Sequence, residues 1–385
     1  MYHKSRFGQI LENLPRSLID TAVRQYDGER YDKSFRVRDH ILVLLYAQYT
    51  NIPGLRGLTT AFNTQAHAHY HLDTQTVQRS TLSDANQRRN PEIFRYIAEQ
   101  LMSRVKGQQR KELRELICLI DSTPIQLGGF GFDWTKQTAT QRTRGLKMHV
   151  VIDGRHTTPQ YLDITSPNIN DITPAKHMPL EAGVTYVFDK GYYDYSWWHQ
   201  IDQTSAWFVT RFKKHAAVTV IKSQITSGEY ILKDELVCFK KGGHKNTYLN
   251  NPLRRITVYR EGKSPLILAT NDMQRSAEEI AALYKQRWQI ELFFKWMKQH
   301  LKIKRFLGRS ENAVLLQLYA AIIGYLLLWQ YKEQHCPNAD SLYLLLIEIR
   351  FTMMDSGTTA YHRSRRRWRK DRDFQIDRRQ YVLPV

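Results

Sequence analysis

The chain has 385 residues, of which 42% are hydrophobic and 24% are charged. This composition excludes a disordered or fibrous protein and allows two or three domains with buried cores. Lys and Arg together number 57 against 37 Asp and Glu, so the formal net charge is +20 at pH 7. Such an excess of cations favours a polyanionic partner, with nucleic acid ahead of an anionic membrane surface. A basic protein without such a partner is the alternative.

The cysteines and the longest apolar run indicate the compartment. Cys118, Cys238 and Cys336 are far apart and follow no metal-ligand spacing, which predicts a reducing compartment without disulfides or zinc. The N-terminal residues contain no apolar signal core. The run Ala313 to Trp329 contains Gln317 and barely reaches spanning length, so it predicts a buried core helix. We therefore expect a cytoplasmic protein that does not enter a membrane.

The first 105 residues have helical periodicity and are expected to form a DNA-binding domain. Arg38 to Thr50 has the spacing of a mostly buried helix. The segment 77–94 predicts a short helix that is capped at Ser80 or Thr81 and stopped by Pro91. The side chains that this helix could present to a DNA groove are Gln78, Arg79, Asn86, Gln87, Arg88 and Arg89. An ordinary solvated helix is an equally weighted alternative.

After a charged hinge at residues 106–115, the periodicity changes to that of strands. The expected strands are 116–121, 145–153, 159–165, 184–192 and 205–212, with a helix at 170–181. This order predicts an α/β layer built around one sheet. Residues 213–270 indicate a β-rich insertion, and the helical pattern returns from Ser276 to about Glu333. The cluster Arg363 to Arg372 has the composition of a phosphate-binding tail.

Two acids follow strand-like segments in a way that suggests a metal site. Asp121 closes the first strand and Asp189 closes the fourth. Acids at the carboxyl ends of neighbouring strands point into the crevice where α/β folds place their chemistry, and Mg²⁺ prefers such oxygen ligands. Asp153, Asp163 and Asp171 also lie near strand ends. They rank lower as candidate metal ligands, because a DG turn accounts for Asp153 and helix capping accounts for Asp171.

A third acid lies in the segment Tyr284 to Lys302. Ser276 to Glu279 forms a capping box that fixes the start of the helix. At about 100° per residue, Tyr284, Arg287, Glu291 and Lys298 fall within about 60° of one helix edge. The remaining positions are mostly apolar, so the helix is expected to be enclosed. A plain ion pair of Glu291 with Arg287 or Lys295 is the alternative to a functional role.

The spacing Tyr284, two residues, Arg287, three residues, Glu291, six residues, Lys298 resembles the YREK signature of bacterial insertion-sequence transposases of the IS-four group. Asp121, Asp189 and Glu291 stand where that family carries its DDE triad. The resemblance implies that these three are catalytic and hold two Mg²⁺ (or Mn²⁺) ions for in-line phosphoryl transfer. It also implies that Tyr284, Arg287 and Lys298 grip DNA beside the scissile bond.

The resemblance implies a ribonuclease-H-like core interrupted by a β-rich insertion and preceded by a helical domain. The expected domains are a helical DNA-binding domain at 1–105, core at 116–212, insertion at 213–270, core at 271–335 and a basic region at 336–385. The implied reaction cuts the terminal inverted repeats of the element, passes through hairpin ends and joins them to target DNA. A homodimer would synapse the two ends near the nucleoid.

One departure concerns the aromatic residue that stacks on a flipped base in better-known relatives. Residues 213–270 contain no Trp, and Phe239 and Tyr248 are the aromatics available for that role. Further candidate DNA contacts are Lys190, Lys147, Arg79 and Arg88, and His149 is at least as well explained as a satisfied strand histidine.

Two other functions stay open on the sequence. The protein could be a DNA-binding regulator that has lost catalysis, although the intact triad argues against this. It could also be a nuclease that cuts without joining, because both reactions use the same site with different nucleophiles.

Overall fold

A computed structural model describes residues 4–29, 34–110, 116–136, 138–140, 143–213, 216–224, 226, 230–240 and 251–355. The helices are α1 (Arg6–Leu11), α2 (Arg16–Gln25), α3 (Val37–Thr50), α4 (Gly54–Thr64), α5 (Ala66–Leu72), α6 (Arg79–Arg88), α7 (Glu92–Arg110), α8 (Ile172–Ala175), α9 (Tyr195–Gln203), α10 (Ala277–Gln286), α11 (Trp288–His300), α12 (Glu311–His335) and α13 (Leu342–Thr352). The strands are β1 (Leu116–Gln126), β2 (Gly145–Asp153), β3 (Pro159–Thr165), β4 (Val184–Phe188), β5 (Trp207–Arg211), β6 (Val218–Gln224), β7 (Ile231–Phe239), β8 (Leu253–Val258) and β9 (Leu266–Thr270).

The chain divides into two compact units. The described parts of residues 1–98, 300–308 and 312–385 form a helical unit, and those of 99–299 and 309–311 form a sheet unit. The boundary falls inside α7, and α12 belongs mainly to the helical unit. The expected division instead grouped 271–335 with the core. The predicted tail Arg363 to Arg372 and residues 111–115 of the predicted hinge lie outside the described residues.

The helical unit is organised around two long buried helices, α3 and α12. Eleven of the fourteen residues of α3 are buried, as its spacing predicts. The Tyr49 hydroxyl donates to the Gly324 carbonyl at 2.8 Å, and Gln48 donates to the Gln317 carbonyl at 3.0 Å. By length and composition α12 could cross a membrane, but 83% of its most apolar stretch is buried inside the fold. It therefore has the environment of a core helix.

The sheet unit contains one nine-stranded sheet in the order β3-β2-β1-β4-β5-β9-β8-β7-β6. β1 pairs in parallel with β4, and β4 pairs in parallel with β5. The other neighbouring pairs are antiparallel. The strands of the predicted insertion therefore extend the same sheet, and β9 joins them to β5. This arrangement confirms the expected mixed α/β class with a helical N-terminal region.

Helices cover both faces of the central strands. All five residues of β4 are buried, which is typical of a parallel strand between two helical layers. The Phe188 ring packs against that of Trp197 of α9, with 4.8 Å between the ring centroids and the planes tilted by 50°. Helix α9 therefore covers the face that carries Tyr186 and Phe188. Side chains alternate along a strand, and α10 contacts β4 and β5, so α10 lies on the opposite face.

Several predicted elements differ from those observed. The strands 145–153 and 159–165 are confirmed to the residue. The strand predicted to end at Asp121 instead continues to Gln126, because every residue of β2 pairs with β1. The helix predicted at 170–181 is reduced to the four residues of α8. The caps predicted at Ser80 and Thr81 are wrong, since α6 begins at Arg79 after Gln78 without a side-chain cap.

Candidate active site

The register of β1 and β4 brings two of the predicted acids together. Ile120 pairs with Phe188 at the last position of the parallel ladder, so Asp121 and Asp189 follow it side by side. The Asp121 carboxylate accepts from the Ser122 amide at 2.8 Å, and the Asp189 carboxylate accepts from the Gly191 amide at 2.7 Å. These local bonds fix both carboxylates at the point where the pairing of β1 with β4 ends.

The third acid, Glu291, is linked to Asp121 by Arg287. One guanidinium nitrogen of Arg287 donates to Asp121 Oδ2 at 3.3 Å, and the other donates to Glu291 Oε1 at 2.5 Å. Arg287 lies at the junction of α10 and α11, where one continuous helix was expected. Its backbone stays helical (φ −51°, ψ −29°), so the interruption is slight. The predicted ion pair of Glu291 with Arg287 therefore exists, and it forms part of a bridge to the strand.

The Asp121 carboxyl lies in an electrostatically unfavourable position. Its pKa is raised to about 6, chiefly by burial and also by the negative charges of Asp189 and Glu291. The Ser122 amide and the Arg287 guanidinium act in the opposite direction. The site therefore has more negative charge than its own cation offsets, which favours an added cation.

The remaining residues of the expected signature lie on the same side of the sheet. Lys298 donates from its amine to the Thr123 hydroxyl of β1 at 2.5 Å. Tyr284 is 9% exposed, and burial raises the pKa of its phenol. The Arg287 guanidinium lies 5.9 Å from the centre of the Tyr284 ring. Arg287 and Lys298 thus contact residues of β1, and Tyr284 lies beside Arg287.

One nitrogen of Arg287 has no partner. Its Nε is buried and makes no hydrogen bond within the described residues, while the two terminal nitrogens are engaged. A buried donor without an acceptor costs about 1–3 kcal/mol.

The donor set suits a hard divalent cation, although the ligands are not drawn together. Asp121, Asp189 and Glu291 offer carboxylate oxygens, which Mg²⁺ and Mn²⁺ prefer. Within the described residues, no group of three or more His, Cys, Asp or Glu side chains is arranged to hold a metal ion. Arg287 lies between Asp121 and Glu291 and supplies positive charge there. The charge balance and the oxygen donors therefore fit such an ion.

Asp171 also lies in this region, although the sequence ranks it below Asp121 and Asp189 as a candidate metal ligand. It was expected to cap the following helix, but its side chain makes no cap hydrogen bond with α8. Its Oδ1 instead accepts from the Ser122 hydroxyl at 2.8 Å and pairs with the Lys147 amine at 3.1 Å. The local sequence does not indicate this contact, because the contact depends on the positions of β1 and β2.

Lys147 and His149 lie on the face of β1 and β2 opposite to Asp121. Ser122 pairs with His149 in the antiparallel register, and side chains alternate, so Ser122 and His149 share a face that Asp121 does not. The Lys147 amine also donates to the Ile169 carbonyl at 2.6 Å. His149 hydrogen-bonds to Thr165 at 2.9 Å, which agrees with its reading as a satisfied strand histidine.

The other predicted DNA contacts are exposed, and one of them directly follows a triad residue in the sequence. Lys190 is exposed in the turn that follows Asp189, and Arg79 and Arg88 are exposed on α6. Two residues expected on that DNA-facing surface are instead internal. Asn86 hydrogen-bonds to His40 at 2.8 Å, and Arg89 donates to the Phe35 carbonyl at 3.0 Å.

The expectation that the signature helix is enclosed is wrong for part of its surface. Ile290, Phe294 and Met297 are buried as expected, but Trp288 is 57% exposed and Leu292 is 46% exposed. Only one side of α11 packs on the sheet, so the apolar residues on its far side meet solvent.

Comparison with known proteins places this arrangement in a family. Residues 112–327 match the family described as Transposase DDE domain, and residues 2–74 match a domain of unknown function, DUF4372. The chain is 45% identical over 252 residues to a transposase designated y4zB from Sinorhizobium fredii. The aligned region covers 64% of this chain and 69% of that protein. It is 27% identical over 266 residues to a transposase for insertion sequence element IS5377 from Geobacillus stearothermophilus, with 68% and 69% covered.

A solved structure has a similar fold. The piggyBac transposase, determined by cryo-EM as a synaptic complex with hairpin DNA, matches with a TM-score of 0.51 over 99% of this chain and 87% of that one, at 9% sequence identity. This likeness concerns the fold alone. The family match covers more than half of the chain, and a relative at 45% identity agrees with it. The protein belongs to the transposases with a DDE domain.

Proposed function

We propose that this protein is the DNA transposase of an insertion sequence, which cuts the ends of its element and joins them to target DNA. Asp121, Asp189 and Glu291 are the catalytic carboxylates. The observation that carries this proposal is the alignment of Asp121 with Asp189 on neighbouring parallel strands, with Arg287 linking Asp121 to Glu291. Three acids from three distant parts of the chain thus lie on one side of the sheet.

Asp121, Asp189 and Glu291 would hold divalent cations, Mg²⁺ or Mn²⁺, with two ions expected. Bound there, the ions would supply Lewis-acid stabilisation of the phosphate and of the leaving oxygen. The support from this chain is the raised pKa of Asp121, which reflects burial and excess negative charge. A nearby cation stabilises the ionised form of such a buried carboxylate more than that of a solvated one.

The cations around the triad would bind and orient the DNA backbone. Arg287 lies between Asp121 and Glu291, and its planar fork suits phosphate. Lys298 and Tyr284 would position the same strand, since Lys298 contacts Thr123 of β1 and Tyr284 lies beside Arg287. Contacts of this kind fix the register of the DNA, and they carry no sequence information.

The finer assignments belong to the same proposal. The strand order β3-β2-β1-β4-β5, with two antiparallel and two parallel pairs, supports a ribonuclease-H-like core. The spacing from Tyr284 to Lys298 supports the IS-four group and its YREK signature. On this assignment the ends pass through hairpins, and a homodimer synapses them near the nucleoid in the cytoplasm. The helical region 1–105 would bind the terminal repeats, with Arg79 and Arg88 among its exposed cations.

The test uses purified protein, Mg²⁺ and DNA that carries the element's terminal repeats. We expect end cleavage, hairpins and joined products. Glu291→Gln should reduce cleavage by about 100-fold or more, because one of three converging carboxylates is lost. Glu261→Gln, the same change at an exposed position of the sheet unit, is the control and should leave cleavage unchanged.

Each other outcome favours a different function. Equal cleavage by wild type and Glu291→Gln would refute the catalytic assignment. Cleavage without joined products would favour a nuclease, and binding without cleavage would favour a regulator. Products without hairpins would refute only the hairpin step.

A further inference from the structure

The connection between β1 and β2 carries an aromatic side chain that the triad does not use. Phe130 is 86% exposed, the largest exposed fraction of any large hydrophobic side chain among the described residues. Gly128, Gly129 and Gly131 surround it, and Gly129 and Gly131 have positive φ values of 94° and 88°. Exposing a Phe ring to water forgoes about 1.5–3 kcal/mol of burial free energy, which a partner that covers the ring would supply.

The base of this connection is held by specific hydrogen bonds. The Trp134 indole donates to the Arg309 carbonyl at 2.8 Å. Arg144 donates to the Thr135 hydroxyl at 2.8 Å and to the Phe132 carbonyl at 2.8 Å. Thr135 is fully buried. The segment 128–131, which we call the tip, therefore exposes the Phe130 ring beside residues that are held by hydrogen bonds.

Arg309 lies across the same tip. Its guanidinium is 5.6 Å from the centre of the Phe130 ring, and the side chain is exposed. A Cβ at Gly131 would come within 2.6 Å of Arg309 Cδ, so a glycine is needed for the arginine to cross the backbone there. The tip therefore combines an aromatic ring with a solvent-exposed cation that contacts it.

The connection that carries the tip begins where the strand that carries Asp121 ends. Along β1, Asp121 belongs to the triad and Thr123 accepts from Lys298. At about 3.3 Å per residue, the strand places Leu127 roughly 20 Å beyond Asp121. Stacked nucleotides rise about 3.4 Å each, so this distance corresponds to about six of them. DNA whose scissile phosphate lies at Asp121 and which follows Lys298 would reach the tip about half a helical turn away.

We propose that Phe130 and Arg309 form a second DNA contact, in which the ring stacks against or wedges between bases and the guanidinium binds a backbone phosphate. The inference rests on the proposed function, because it requires DNA at the triad. An exposed aromatic beside an exposed cation matches a ligand with flat rings and regular negative charge, which is the chemistry of nucleic acid. The net charge of +20 agrees with that partner.

The experiment measures binding of full-length protein to terminal-repeat duplexes in EDTA, so that catalysis plays no part. The adenine analogue 2-aminopurine is placed at successive positions from the cleavage site. With wild type we expect a fluorescence change centred about six nucleotides away. Phe130→Ala should abolish that change and weaken binding about 5- to 100-fold, while Phe130→Trp should restore both. Phe351→Ala, at a ring that is 83% exposed on α13, is the control.

The outcomes separate this inference from the proposed function. If Phe130→Ala binds as tightly as wild type and keeps the fluorescence change, the contact is refuted while the proposed function stands. If Phe130→Ala instead alters the oligomeric state and leaves DNA binding intact, the tip contacts a second copy of the chain, and the inference is wrong. If wild type binds no terminal-repeat DNA, the proposed function and this inference both fail. Retained Tm in Phe130→Ala shows that a loss of binding does not reflect misfolding.

Discussion

Replacing Asp121 by Asn should abolish activity and yet make the metal-free protein more stable. The pKa of this carboxyl is raised from 3.8 to about 6 in the folded protein, chiefly by burial. Each pKa unit corresponds to about 1.36 kcal/mol, so the ionised group destabilises the fold by at most about 3 kcal/mol. The side chain is 19% exposed, and solvent screening reduces the expected gain on neutralisation to about 1–2 kcal/mol.

The sign of the pH dependence follows from linkage. The folded protein binds the Asp121 proton more tightly than the unfolded chain does, so the wild type loses stability as pH rises towards about 6. Asn cannot ionise. The extra stability of the Asn variant should therefore be small near pH 4, grow between about pH 4 and pH 6, and be complete above about pH 6. Arg287 keeps its bond to Glu291 in the variant, so it is not left without a partner.

The assay is thermal unfolding in EDTA at about pH 8 and at about pH 5, followed by tryptophan fluorescence. For a chain of 385 residues, a gain of 1–2 kcal/mol corresponds to an increase in Tm of about 1–3 °C at the higher pH. Asp163→Asn is the matched control. Asp163 accepts from the next amide of its own strand, and its replacement should change the Tm little. An Asp121→Asn protein that is no more stable than wild type, or equally stabilised at both pH values, would refute the electrostatic reasoning.

Two further predictions concern DNA binding and stability. Arg287→Ala and Lys298→Ala should each lower the slope of log K against log salt by about one, because fewer counterions are released, and filter binding at several salt concentrations measures this. Lys295→Ala on the same helix is the comparison, and slopes that match wild type in all three variants would exclude the contacts. Arg254→Met should destabilise the fold by about 3–5 kcal/mol in urea, since it leaves the buried Asp234 without the partner that donates at 2.8 Å. Recovery in a double variant that also carries Asp234→Leu is expected, and an unchanged urea midpoint in the single variant would contradict the argument.

The strand and helix pattern of the sheet unit was largely predictable from local sequence. The strands 145–153 and 159–165 alternate and are bounded by turn residues, so their limits follow from side-chain period and turn chemistry alone. Ser276 to Glu279 forms the expected capping box, because that motif is satisfied by residues three positions apart. These features were predictable because residues close in the sequence decide them.

The extent of other elements depends on distant partners. The strand containing Asp121 runs five residues further than expected because β2, which begins 19 residues after Gln126, pairs with it as far as Gln126. Residues 172–175 form only one helical turn, although the sequence suits a longer helix. The exposure of Trp288 is likewise a matter of packing, since an apolar residue on a helix does not reveal which sides have a neighbour.

The order of the acids and the spacing of the helix edge were determined by the sequence itself. Helical geometry is local, and it places Tyr284, Arg287, Glu291 and Lys298 on one edge whatever lies opposite. The convergence of that edge with Asp121 was decided only by the tertiary structure, because strand order and register are long-range properties. For the same reason Asp171, which looks like an ordinary helix cap in sequence, becomes the partner of Ser122 and Lys147: the positions of β1 and β2 determine what its carboxylate meets.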